Sequence, residues 1–153
     1  FVTGSAPPAR AWTRDMRGWT LEIYGEVERP RNFTMPVLKR EFSHVTRQYV
    51  LECAGQWGRG IVPAAAQADW WNIGAVGCAE WTGVLLRDVL ESVGVTSQAA
   101  FVAYFGEDDA LSRGVPILKA LDGYTLLAWA MNGEELPAFH GFPLRMLAPG
   151  YPG

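Results

Sequence analysis

The alternation of apolar and polar positions begins at Trp19. In WTLEIYGEV, residues 19–27, Leu21 and Ile23 alternate with Thr20, Glu22 and Tyr24, which predicts a half-buried strand closing at Gly25. Glu28 to Asn32 is charged, holds Pro30 and predicts a loop. Met35 to Phe42 spaces Leu38 and Phe42 four apart, which predicts a short helix with both turned inward. Tyr49 to Cys53 predicts a brief strand. The glycines at 55, 58 and 60 then predict a tight loop with accessible backbone N–H groups.

Farther on, Leu85, Leu86, Val89, Leu90 and Val93 fall on one helical stripe, with Thr82 placed as its N-cap and Gly94 as its stop. Ala99 to Phe105 predicts a buried strand, Gly106 to Asp109 an acidic loop, and Pro116 to Ala120 a short helical turn. YTLLAWAMNG, residues 124–133, predicts a helix by its length and its Asn132-Gly133 stop, and Leu144 to Leu147 a last short strand. Residues 1–18 are small and polar around Pro7-Pro8 and predict an extended arm. Strands and helices mix without long βα repeats, so the fold class is α+β with a mainly antiparallel or mixed sheet.

Composition narrows this pattern. A chain of 153 residues suits one domain spanning 1–153, and 49% hydrophobic with 19% charged residues is a globular balance. The formal charge of −3 and the lack of a lysine-rich run exclude a nucleic-acid footprint. No apolar stretch reaches the roughly 18–20 residues of a membrane span. Of the 13 basic residues only Lys39 and Lys119 are lysine, and arginine suits fixed contacts to oxyanions. Among the 7 tryptophans, Trp57, Trp70 and Trp71 are candidates for a contact surface in a larger complex.

Candidate chemistry centres on VLECAGQWGRG, residues 50–60. Cys53 there fits three roles: a buried small hydrophobe, half of a disulfide with Cys78, or a thiolate held by loop N–H groups and Arg59. His44, Cys53, Cys78 and His140 match no zinc-ligand spacing. There is no P-loop and no GxGxxG. FHGFPLR, residues 139–145, places His140 and Arg145 five apart around Gly141 and Pro143. That spacing can present imidazole and guanidinium to one anionic group, or simply form a turn entering a strand.

Four segments in order resemble the molybdopterin-binding domain of the sulfite oxidase family. They are TLEIYGEVERP (20–30), VLECAGQWGRG (50–60), IGAVGCAEWTGVLLRDVL (73–90) and LLAWAMNGEELPAFHGFPLRMLAPGYPG (126–153). The resemblance covers nearly the whole chain, which looks like the central part of the family's cofactor domain. It implies a sulfite-oxidase-type fold with mixed sheets and short helices, and molybdopterin as cofactor. Cys53 is then the molybdenum ligand, His140 and Arg145 contact the pterin, Asp108 matches a cofactor-loop aspartate, and Arg59, at a shifted spacing, lines an anionic substrate pocket or the cofactor edge. It also implies oxidation of sulfite or a related sulfur oxyanion, with electrons passed to a haem protein such as a c-type cytochrome or another acceptor, and periplasmic export.

This chain departs from the family pattern at Gln56, Trp57 and Cys78. The family's arginine–asparagine–histidine motif is not recognisable in FVTGSAPPAR. The chain also stops at Gly153, before the family's lysine-bearing segment, its catalytic tyrosine and its dimerisation domain. These departures support a second expectation, a cofactor-free structural or accessory subunit that keeps the fold.

Overall fold

Short apolar runs broken by turn residues give short elements. The computed structural model describes residues 18–53, 74–106 and 112–151. In chain order the elements are β1 (Leu21–Ile23), β2 (Arg31–Phe33), α1 (Met35–Glu41), β3 (Val45–Glu52) and β4 (Val76–Leu85). There follow α2 (Leu86–Val93), β5 (Phe101–Phe105), β6 (Ser112–Pro116), α3 (Ile117–Ala120), β7 (Leu126–Met131), β8 (Glu134–Glu135) and β9 (Arg145–Leu147). No helix among the described residues is long and apolar enough to cross a membrane.

β3 pairs antiparallel with β4 along its whole length, from Val45 opposite Gly83 to Glu52 opposite Val76. β7 lies on the other edge of β4. Its own outer edge is shared: β9 pairs with Leu126–Ala128, and β8 with Ala130 and Met131. These five strands form the central antiparallel sheet, and β1–β2 and β5–β6 are separate two-stranded ladders.

The sheet separates two apolar clusters. On one face Val84, Leu86, Leu127 and Trp129 pack with Phe33, Met35 and Leu38 and with the α2 stripe Val89, Leu90 and Val93. An eight-residue helix is too short to stand alone in water. It is held by that stripe, each buried side chain contributing about 1.5–3 kcal/mol. On the other face Tyr49, Trp81, Leu85, Leu126, Ala128, Leu136 and Leu147 form the second cluster. Tyr49 donates its hydroxyl to the Tyr124 carbonyl at 2.7 Å, and Arg47 donates to the Gly123 carbonyl, which ties β3 to the turn before β7.

Several sequence expectations hold. The strand at Leu21–Ile23, the helix from Met35, the turn at Ile117–Ala120 and the strand ending at Leu147 are all present. Leu38 is fully buried, and Phe42, the C-cap of α1, packs on Phe33 at 5.8 Å between ring centroids. Gly94 stops α2 in the left-handed conformation, its N–H bonding to Leu90 and Glu91.

Other expectations are corrected; the loop from Glu28, for one, ends at Pro30, and β2 begins at Arg31. Thr82 does not cap a helix; it lies in β4, its hydroxyl 2.9 Å from that of Thr46 across the strand pair. α2 begins only at Leu86, so Leu85 belongs to the strand. YTLLAWAMNG is not helical: Leu126–Met131 is the strand between β4 and the β8–β9 edge, apolar on both faces, so it shows no alternation. Its Asn132-Gly133 is a hairpin turn, with φ of 52° and 78°. Phe101–Phe105 is a strand but half exposed, because among the described residues it pairs with β6 alone and packs on one face.

Candidate functional site

Strand parity decides the fate of the two cysteines. Residues opposite each other in an antiparallel pair project to one face, and each step along the strand reverses it. Cys78 pairs with Val50, and its neighbours Val50 and Val76 are 66% and 47% exposed. Cys53 follows β3 three residues after Val50, hence on the opposite face, and donates its N–H to the Ala75 carbonyl at 2.9 Å. It is 5% exposed beside Ala75 at 7%. Both are reduced thiols, Cys53 buried and Cys78 exposed, so the disulfide alternative falls.

HGFPLR folds into a closed corner. His140 ends a 3₁₀ turn over Ala138–His140, and Gly141 follows at a φ of 97°, a left-handed conformation that favours glycine. The Phe142–Pro143 peptide bond is cis, and the chain enters β9 at Arg145. Arg145 Nη1 donates back to the His140 carbonyl at 3.2 Å. Its guanidinium lies 5.6 Å from the centroid of the Trp81 ring.

Burial lowers the pKa of the Arg145 guanidinium from its ordinary value, and the group stays charged at neutral pH. Burial likewise lowers the pKa of His140, with the positive charge of Arg145 adding to the effect. Among the described ion pairs none involves Arg145. A half-buried cation without a described carboxylate favours an anionic ligand.

The structure brings His140 and Arg145 together but does not place Cys53 beside them. Cys53 sits level with Ala75, whereas Arg145 covers Trp81, six residues along β4, or roughly 20 Å of extended strand. Arg59 and Asp108 lie outside the described residues, as do Gln56, Trp57, Trp70 and Trp71. His44 packs edge-on against Trp129 at 4.9 Å, in the cluster on the other face of the sheet. Among the described residues no group of three His, Cys, Asp or Glu could hold a metal ion.

Trp81 was not singled out by sequence reasoning. It is 2% exposed, and its Nε1 is buried without a hydrogen-bond partner among the described residues. The signal for it is the alternation Ala79, Trp81, Gly83, Leu85, which puts Trp81 on the inner face of a strand.

The profile of the oxidoreductase molybdopterin binding domain family matches residues 8–153. Similar curated proteins include an NAD(P)H nitrate reductase of Hordeum vulgare, 35% identical over 165 residues, covering 98% of this chain and 18% of the relative. An inducible NADH nitrate reductase of Glycine max is 37% identical over 149 residues, covering 88% of this chain and 17% of the relative. The crystal structure of the sulfane dehydrogenase SoxCD from Paracoccus pantotrophus superimposes with a TM-score of 0.81 at 31% identity, covering 94% of this chain and 36% of that one. The chain thus spans less than a fifth of these nitrate reductases.

The described residues fit molybdopterin. A buried thiol is a soft donor for a heavy metal. The Arg145 guanidinium offers N–H groups without a described anionic partner, which suits the phosphate and ring oxygens of a pterin. Strand parity puts both donors on one face of the sheet, Cys53 just beyond β3 and Arg145 on β9.

Proposed function

Because the chain belongs to the oxidoreductase molybdopterin binding domain family, we propose that it is the cofactor-holding part of a molybdenum oxidoreductase acting on sulfite or a related sulfur oxyanion. The observation that carries this is the Cys53 thiol, buried at 5% exposure at the end of β3 and on the face that also carries Arg145. Similarity to a protein named as a sulfane dehydrogenase supports sulfur chemistry. When bound, the cofactor supplies two-electron redox chemistry at its metal. Cys53 would donate its sulfur to the metal, His140 and Arg145 would hold the pterin side, and Arg59 and Asp108 would complete the anion and cofactor contacts. Electrons would leave to a haem protein such as a c-type cytochrome, with Trp57, Trp70 and Trp71 as anchors for a partner in the periplasm.

The nitrate reductase relatives favour a second reading, in which the same site reduces nitrate. Both readings predict near-stoichiometric molybdenum and pterin in freshly purified protein, and loss of the molybdenum in Cys53→Ser with the fold retained. Sulfite-dependent reduction of an electron acceptor supports the first, and nitrate-dependent oxidation of a reduced dye supports the second. A folded, partner-bound chain free of molybdenum overturns both and establishes the accessory-subunit alternative. Undiminished turnover in Arg59→Ala removes that arginine from the anion pocket.

A further inference from the structure

We propose that Trp81 serves the corner formed by His140 and Arg145 in two ways: its indole face positions the Arg145 guanidinium, and its Nε1–H is a donor held for an acceptor atom of the group that Arg145 binds. This rests on the molybdopterin reading above and adds to it a residue to which neither the resemblance nor the motif spacing gave a role.

The positioning half follows from the sheet. Trp81 sits inside β4 with Arg47 opposite on one side and Met131 on the other, and is held in the second apolar cluster. Arg145 pairs with Ala128, and Ala128 with Gly83, so one row across three strands reads Gly83, Ala128, Arg145. Small residues in that row leave the surface open for the Arg145 side chain to cross β7 and reach the ring, where its carbon lies 5.6 Å from the centroid. A flat guanidinium over an indole is attracted by the ring quadrupole, and more strongly once water is excluded. The described hydrogen bond of Arg145, to the His140 carbonyl, fixes one end of the fork and leaves the other N–H groups directed by the ring.

The donor half follows from the orphaned N–H. A buried donor without an acceptor destabilises a fold, and such groups are uncommon. The carbon skeleton of Trp81 already fills the cluster, so packing does not require the nitrogen. An incoming acceptor oxygen would satisfy it. The neighbouring Arg145 is itself suited to acceptor-rich anions, so one ligand group answers both.

The test uses ¹⁵N-labelled protein prepared from hosts able and unable to make molybdopterin. The Trp81 indole signal is the one of seven lost in Trp81→Phe. In the wild type it moves downfield when pterin is bound. Trp81→Phe keeps a ring under Arg145 but loses the donor, and is expected to retain pterin about 3- to 10-fold more weakly with little change in unfolding temperature, the effect of one hydrogen bond. In a Trp81→Leu background, which lacks the ring, Arg145→Lys costs less affinity than it does alone. Should Trp81→Leu not fold, the indole signal and Trp81→Phe decide. An unmoved signal together with unchanged pterin retention in Trp81→Phe overturns this inference and leaves the cofactor reading intact. A wild type that takes up no pterin from the competent host overturns both.

Discussion

Gly83→Ala offers a sharp check on how β4 and β7 meet. At this point the register steps from Thr82–Ala130 to Gly83–Ala128, leaving Trp129 as an extra residue in β7. A methyl group on Gly83 would lie 2.7 Å from both the Ala128 Cα and the Leu127 carbonyl carbon, and closer still to the Leu127 oxygen. All three are backbone atoms of β7, so no side-chain rotation relieves the clash; the strand itself must move. Overpacking costs about 1–3 kcal/mol or more, and disturbing the ladders on both edges of β7 adds about 1 kcal/mol. The reduced freedom of the unfolded alanine chain returns only about 0.4–1 kcal/mol. The net is a loss of about 3 kcal/mol, which at this chain length lowers Tm by about 6–12 °C. Gly114→Ala is the control, since its added methyl would meet only the Val102 carbonyl oxygen at an ordinary 3.6 Å. Thermal unfolding followed by circular dichroism, with urea titrations for ΔG, measures both. A Gly83→Ala protein melting within about 2 °C of wild type would refute the geometry. Because β9 hangs on β7, the same variant should also loosen Arg145 and lower pterin retention.

Two further predictions concern protons. Burial raises the pKa of Asp122, but donors from Lys119, the Tyr124 and Thr125 amides and the Thr125 hydroxyl outweigh it and hold the group at about 2 against an ordinary 3.8. The stabilisation is therefore full above about pH 4 and is lost as pH falls toward 2. For a side chain 28% exposed, solvent screening leaves it at about 1 kcal/mol, and Asp122→Asn should abolish that slope in acid titrations of stability. His140 has the same sign by a different cause. Its folded-state pKa lies below the ordinary 6.5, so the unfolded chain takes up the proton first, and stability declines as pH drops below about 6.5. Urea unfolding compared at pH 8 and pH 5 should show that decline, and His140→Gln should flatten it.

Parts of the molecule were plain in the sequence because one local signal sufficed. Gly94 marks the end of α2, and the HGFPLR spacing does form a closed corner. β7 was hidden because a strand covered on both faces loses its alternation, and only the Asn-Gly pair after it pointed to a hairpin. The start of α2 was hidden because the apolar residues of inner-facing β4 run straight into those of the helix stripe. Nor does any local pattern reveal that Trp81 underlies Arg145, since that contact depends on three strands coming into register.

The outer edge of β7 is completed in two pieces by separate short strands, β9 and β8. No long row of open amide and carbonyl groups is therefore offered there for another chain to zip onto. The division also has a mechanical result: the hairpin turn is anchored to β4 on its own account, Asn132 donating its N–H to the Glu80 carbonyl at 2.7 Å and accepting the Glu80 N–H on its side-chain oxygen at 3.0 Å, apart from the strand that carries Arg145. Two independent tethers thus complete one strand edge, so the ladder that carries Arg145 does not rely on the hairpin for its register.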